Sequence, residues 1–189
     1  AEPPALDAEQ ARADAELAAA DGFRPFLLEG VTGSGKTELY LRAAQRALAA
    51  GRQALFLVPE IGLAPQLLQR LRARLAVPVA VLHSGLAERE RTEAWLAARD
   101  GDARVILGTR SAVFTPLPRP GLIVVDEEHD AALAQQEGFR YSARDLAVLA
   151  VQALDVPVVL GSATPSLESL HNAREGRYTR LRLSRRAGG

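Results

Sequence analysis

Eight residues, Gly30-Val31-Thr32-Gly33-Ser34-Gly35-Lys36-Thr37, constrain this chain more than any other stretch. They stand between an apolar run, Phe26-Leu27-Leu28, and a segment of helical character that begins near Glu38. The spacing is the strand–GxxxxGK(S/T)–helix pattern of a phosphate-binding loop. Glycines let the backbone curl until successive N–H groups point into one concavity, and the following helix adds its positive end. In such a loop the ammonium of Lys36 reaches the β- and γ-phosphates, and the Thr37 hydroxyl holds Mg²⁺. Gly30, Thr32, Gly33, Ser34, Gly35 and Glu38 complete the nucleotide contacts expected here. An ordinary Gly-rich turn is the bland alternative, and it requires neither a strand before it nor a helix after it.

Composition adds one detail. Lys and Arg total 23, and Lys36 is the only lysine among them. Arginine carries a broad planar fork, lysine a compact ammonium on a thin stem. The single retained lysine stands where a slim point charge must enter between two phosphates, which favours a working loop.

Other classes are bounded by what is absent from the 189 residues. The formal net charge is zero, without the basic excess of a free-standing nucleic-acid binder, so any DNA contact is local or shared. With no cysteine there is no disulfide and no thiolate metal site. No apolar run approaches the roughly 18 residues of a membrane span, and Ala1-Glu2-Pro3-Pro4 has no signal-peptide character. The expectation is a cytoplasmic protein with no membrane association. Length suits one large domain.

Along the chain, residues 1–5 read as a tether and 5–20 as an Ala-rich helix with Asp7 as its candidate N-cap. Strand-like runs fall at 25–29, 54–58, 79–82, 104–107, 122–125, 156–160 and 178–183. Helix-like segments near 36–50, 62–75, 87–100, 143–154 and 166–175 separate them. Runs such as Leu122-Ile123-Val124-Val125 are apolar on both faces, as in a parallel sheet covered on each side. The pattern predicts a three-layer α/β fold with a mainly parallel central sheet and right-handed crossovers. Ligands of such sheets bind beyond the carboxyl ends of the strands.

A second constellation stands at one of those ends. The strand-like Leu122-Ile123-Val124-Val125 runs into Asp126-Glu127-Glu128-His129. Asp126 at the strand tip is expected to hold Mg²⁺ through water, with Thr37 as its partner, and Glu127 to accept a proton from an attacking water. Glu128 and Asp130 fit a solvated acidic turn, and His129 stands open between a reporter of nucleotide state and a structural hydrogen-bonder. Convergence of the two constellations on adjacent strand ends is expected.

Asp126-Glu127-Glu128-His129 resembles the DEAD/DEAH-type box of superfamily 2 helicases, and Gly161-Ser162-Ala163-Thr164-Pro165 resembles their SAT motif. Leu6-Asp7-Ala8-Glu9-Gln10, the stretch from Pro25 through the phosphate loop to Glu38, and Asp126 to Asp130 followed by Gln136-Glu137-Gly138-Phe139-Arg140-Tyr141-Ser142-Ala143-Arg144-Asp145 look like the primosomal replication-restart helicases within that superfamily. The resemblance runs over nearly all of the chain and implies one RecA-like lobe (6–184) of a two-lobed, ATP-dependent 3′-to-5′ DNA helicase. Residues 185–189 would then begin a linker to the second lobe, which supplies arginine fingers in that family. It further implies ATP and Mg²⁺ as ligands, and stalled forks as the place of action. Single-stranded and forked DNA, primosome proteins and single-stranded-DNA-binding protein are the implied partners. Zinc belongs to another part of these proteins, since its cysteines are missing here.

Residue roles follow from the same resemblance. Gln10 takes the adenine-contacting position, with Phe23 and Arg24 flanking the base. Ser84, Gly85, Thr109, Arg110 and Ser111 follow successive strands, where hydroxyls and N–H groups grip a DNA backbone without reading its sequence. Phe139 and Tyr141 stack on bases with Arg140 and Arg144 beside them, or else pack internally. Leu133 and Ala134 replace the aromatic and the basic residue of the family pattern. Ser162 and Thr164 relay nucleotide state to the DNA side, or cap the helix near Ser166. The alternatives are another superfamily 2 translocase and a non-catalytic partner-docking module.

Overall fold

The computed structural model describes residues 2–59, 64–126, 152 and 154–187. Expectations for Glu127, His129, Phe139, Arg140, Tyr141 and Arg144, the substitutions at Leu133 and Ala134, and most of the 143–154 helix lie outside the described residues.

Among the described residues seven strands form one sheet: β1 (Arg24–Gly30), β2 (Gln53–Leu57), β3 (Val79–Leu82), β4 (Val105–Gly108), β5 (Pro120–Asp126), β6 (Pro157–Ser162) and β7 (Thr179–Leu183). Every strand pair is parallel. Among the described residues five helices accompany them: α1 (Ala8–Ala18), α2 (Lys36–Ala49), α3 (Pro65–Leu75), α4 (Glu88–Arg99) and α5 (Leu167–Arg174). A short 3-10 turn at Arg110–Phe114, absent from the sequence reading, follows β4.

Alternation along the strands divides the apolar side chains between two cores. Phe26, Leu28, Ala54, Phe56, Leu122, Val124 and Val159 face α1, α2 and α3. Leu27, Leu55, Leu57, Ile123, Val125, Val158 and Leu160 face α4, the 3-10 turn and α5. Phe26, Leu27 and Leu28 are all fully buried, as two-sided coverage of a parallel sheet requires. Pro25, which brings no N–H to a ladder, lies in the part of β1 that β7 does not reach, since that pairing begins at Phe26.

Strand order is β3-β4-β2-β5-β6-β1-β7, and it corrects one expectation. β1 and β5, which end in the phosphate loop and in Asp126, are not neighbours. β6 lies between them, pairing Leu28 with Gly161 on one side and Asp126 with Gly161 on the other. Local periodicity carries no information on which parallel strand is inserted between two others.

Gln53, buried at the end of the sheet opposite the loop, has its carboxamide paired on both sides. The Gln53 amide, 1% exposed, donates to the carbonyls of Ala98 (3.0 Å) and Ala103 (2.7 Å) and accepts from the Arg119 N–H (3.1 Å). It joins β2 to the end of α4 and to the approach to β5. No helix of the described residues is long and apolar enough to cross a membrane.

Candidate nucleotide-binding site

The loop between β1 and α2 folds as its residues dictate. Ser34 N–H closes a turn on the Val31 carbonyl at 3.0 Å. Gly33 and Gly35 adopt φ of +84° and +95°, a region L side chains rarely enter. A Cβ at Gly35 would lie 2.4 Å from Gln10 Nε2, whereas one at Gly33 would meet nothing within 4 Å. Gly35 is also the N-cap of α2 and offers no side-chain acceptor. The first amides of the helix have no partner within it and are directed at the loop. Lys36, 7% exposed, turns its ammonium onto the Gly30 and Val31 carbonyls. Thr37 is half-buried and Thr32 exposed.

These residues fit a nucleotide phosphate with its Mg²⁺. Open space over Gly33 provides the room, Lys36 the charge, and the start of α2 the N–H donors. Ser34 Oγ is buried without a hydrogen-bond partner, which is uncommon for a buried polar atom.

Asp126 closes the arrangement from the end of β5. Its Oδ1 accepts a 2.8 Å hydrogen bond from the Tyr40 hydroxyl on α2, so loop helix and carboxylate are one side chain apart although 86 residues separate them. On the intervening β6, Ser162 is fully buried and its Oγ accepts from the Thr164 N–H at 3.0 Å. The helix after it is capped by Ser166, whose Oγ accepts from Ser169 N–H at 3.0 Å. Ser162 thus organises the turn and Ser166 the cap.

Several expected contacts differ. Both ends of the Gln10 carboxamide are engaged: Oε1 accepts from Asp7 N–H (3.0 Å) and Nε2 donates to the Ser34 carbonyl (3.0 Å). With Asp7 Oδ1 accepting from Gln10 N–H at 2.8 Å this is a capping box, and it clamps α1 to the loop. Glu38 turns its carboxylate away from the loop to α3, where Arg74 Nη2 and Nη1 lie at 2.7 and 3.0 Å, while Arg42, one turn on along α2, brings its Nε to 2.9 Å. Burial pushes its pKa up, and the hydrogen bonds from Arg74 and Arg42 outweigh that and hold it below the ordinary value. Phe23 and Arg24 stand at the opposite end of β1 from the loop, about 20 Å away by strand rise. There Phe23 N–H donates to Asp155 Oδ1 at 2.9 Å and Arg24 pairs with Glu16 at 2.9 Å.

The residues expected at DNA lie beyond the ends of β3 and β4, at one edge of the sheet. Four strand spacings, about 19 Å, separate β4 from β1. Ser84 and Ser111 are exposed and Thr109 half-buried. The Gly85 N–H is taken by His83 Nδ1 at 3.1 Å, so it is not the open donor the sequence implied. Thr109 N–H donates to the Leu82 carbonyl at 3.2 Å, and the backbone of Arg110 opens the 3-10 turn.

Two parts of the site escaped the sequence reading. Tyr40 is one, although its place four residues after Lys36 and three after Thr37 puts it on their helix face. The chain after β7 is the other. Ser184 donates from N–H (2.5 Å) and Oγ (2.8 Å) to Glu9 on α1, and Ala187 N–H donates to the Gly33 carbonyl at 2.7 Å. The Ser184 bonds, the backbone one foremost, hold the Glu9 carboxyl below its ordinary value.

Known proteins share this architecture. Among curated sequences, the chain is 50% identical over 183 residues to the Replication restart protein PriA of Haemophilus influenzae, covering 97% of this chain and 25% of that protein. It is 45% identical over 166 residues to the Bacillus subtilis protein of the same name, covering 88% and 21%. The chain therefore spans about a quarter of the length of the curated relatives it matches. Among solved structures, RecG bound to a three-way DNA junction superposes with a TM-score of 0.71 at 25% identity, over 97% of this chain and 24% of that one. A DEAD box protein from Methanococcus jannaschii shares the fold, with a TM-score of 0.65 at 21% identity over 89% and 47%. The family model described as DEAD/DEAH box helicase matches residues 8–173, from the first turn of α1 to the end of α5, and over that span the chain belongs to the DEAD/DEAH box helicase family.

Proposed function

We propose that this chain is the nucleotide-binding first lobe of an ATP-dependent 3′-to-5′ DNA helicase that acts in replication restart at stalled forks. The observation that carries the reading is the meeting of two distant sequence elements. The helix that begins at Lys36 and Thr37 reaches Asp126 at the strand end through a 2.8 Å bond, so both flank the space where a nucleotide phosphate fits. The 50% identity to a replication restart protein and the likeness to a structure bound to a DNA junction support the biological side.

In this reading Lys36 and the amides of Gly33, Ser34 and Gly35 bind the β- and γ-phosphates, and Thr37 and Asp126 hold Mg²⁺, Asp126 through water. Bound Mg²⁺ supplies charge that offsets what develops on the phosphates. Glu127 accepts the proton of the attacking water. Gln10 fixes the loop from α1, and an adenine contact requires it to give up one of its present bonds. Ser84, Thr109, Arg110 and Ser111 grip the backbone of a single strand, and Phe139 and Tyr141, with Arg140 and Arg144, stack on its bases. Ser162 and Thr164 connect the two regions through β6. A second lobe in cis closes the cleft and brings an arginine worth roughly 10³- to 10⁵-fold in rate. This lobe by itself therefore binds nucleotide weakly and turns over slowly. Primosome proteins and single-stranded-DNA-binding protein engage other parts of the full-length protein, as does zinc, and the place of action is the cytoplasm.

The test is titration of a fluorescent ADP in Mg²⁺ buffer against wild type and Lys36→Ala. Loss of about tenfold or more in affinity is expected, because a charged hydrogen-bonding partner worth about 1.5–3 kcal/mol is removed. Unchanged affinity removes the phosphate-loop assignment. In the full-length protein, DNA-stimulated hydrolysis that survives Glu127→Gln removes Glu127 from the role of base.

A further inference from the structure

Tyr40 is fully buried and packs with Leu28, Leu39, Val124 and Val159 in the core on the α1–α3 side of the sheet. Phenylalanine would fill that volume as well. What phenylalanine lacks is the hydroxyl, and a buried tyrosine hydroxyl requires a partner. Its partner is Asp126 Oδ1, at 2.8 Å. On its way from α2 the phenol passes over β6, the strand next to β5. It crosses at Gly161, the residue paired with Asp126. A Cβ there would stand 1.5 Å from the Tyr40 oxygen and 3.3 Å from Asp126 Oδ1. Glycine inside a strand ordinarily weakens it; here it opens a window for one side chain.

From this geometry we infer that Tyr40 is a positioning residue: its hydroxyl, passing over Gly161, fixes the Asp126 carboxylate for the Mg²⁺ that accompanies the nucleotide. The inference rests on the reading of Asp126 as a metal-side carboxylate given above. Lys36, Thr37 and Tyr40 lie on one face of α2, at spacings of three and four residues. The rigid helix that presents Lys36 and Thr37 to the phosphates therefore also sets the carboxylate, and the distance between them does not depend on loop conformation. Outer partners of a metal-side carboxylate tune affinity by about 10–100-fold in general. Gly161 of the Gly161-Ser162-Ala163-Thr164-Pro165 segment acquires a reason as well: any side chain there severs the link between α2 and β5.

The experiment measures affinity for a fluorescent ADP across a MgCl₂ series and in EDTA, for wild type, Tyr40→Phe, Asp126→Asn and the double variant. Thermal melting without nucleotide confirms that each is folded. Tyr40→Phe should raise the Mg²⁺ concentration at half-effect about tenfold or more and leave affinity in EDTA unchanged. In the Asp126→Asn background the same substitution should change nothing further, because the hydroxyl acts through that carboxylate. Equal losses with and without Mg²⁺ indicate packing alone and overturn the inference, as does a Mg²⁺ dependence identical to wild type. If Asp126→Asn itself leaves the Mg²⁺ dependence intact, the metal-side reading of Asp126 falls, and the role of Tyr40 with it.

Discussion

Glu38 shows how a single residue can be placed in the right neighbourhood by sequence and still do different work. It follows Gly35-Lys36-Thr37 directly, yet α2 turns its side chain away from the loop and onto α3. Its side chain is 6% exposed, and Arg74 beside it is 15% exposed. Replacing Glu38 with Gln leaves Arg74 and Arg42 without their counter-charge and should cost about 2 kcal/mol at neutral pH, read by urea denaturation. The pH dependence has a definite sign. The folded pKa lies below the ordinary 4.5, so as pH falls the unfolded chain binds this proton first. Stability from the carboxylate is complete above 4.5 and is lost as pH descends through the lower folded value. The gap between wild type and Glu38→Gln should therefore close over that acid window. A gap independent of pH would place the stabilisation elsewhere.

At the level of elements, α1 is held at the site by its first turn. Asp7 was legible as an N-cap, since an acidic residue stands just before the helical run. The reciprocal bond from Gln10, three residues on, completes the box and at the same time fastens the loop through the Ser34 carbonyl. Asp7→Ala should lower stability by about 1 kcal/mol in thermal or chemical unfolding. Asp7→Asn, which retains a capping oxygen, should recover most of it. The 3-10 turn after β4 was not legible, because Arg110–Phe114 has neither the length nor the periodicity of a helix. Its position is imposed by tertiary contact: Thr109 N–H bonds to Leu82 at the end of β3. A Cβ at Gly108 would lie 2.7 Å from the Leu82 carbonyl oxygen.

For the whole molecule, the site is assembled across three strand ends and a helix, so ligand binding should stabilise the fold as a unit. With ADP and Mg²⁺ at about 100 times Kd, the unfolding free energy should rise by about 2.7 kcal/mol. Scanning fluorimetry reads this as a raised Tm, and Lys36→Ala, with affinity about tenfold lower, should gain no more than about 1.4 kcal/mol at the same concentration. The elements themselves were readable from the chain because their causes are local. Alternation and continuous apolar runs mark buried strands, Gly33 and Gly35 mark backbone turns, and Asp7 marks a helix start, all within a few residues. Strand order is decided by how the crossovers pack, and no short window of sequence contains it. The insertion of β6 between β1 and β5, the passage of Tyr40 over Gly161 to Asp126, and the turning of Glu38 toward Arg74 depend on groups 35 to 133 residues apart in the chain. Local hydrogen bonding and periodicity determined what each segment became; packing between distant segments decided which side chains face the nucleotide site and which hold it in place.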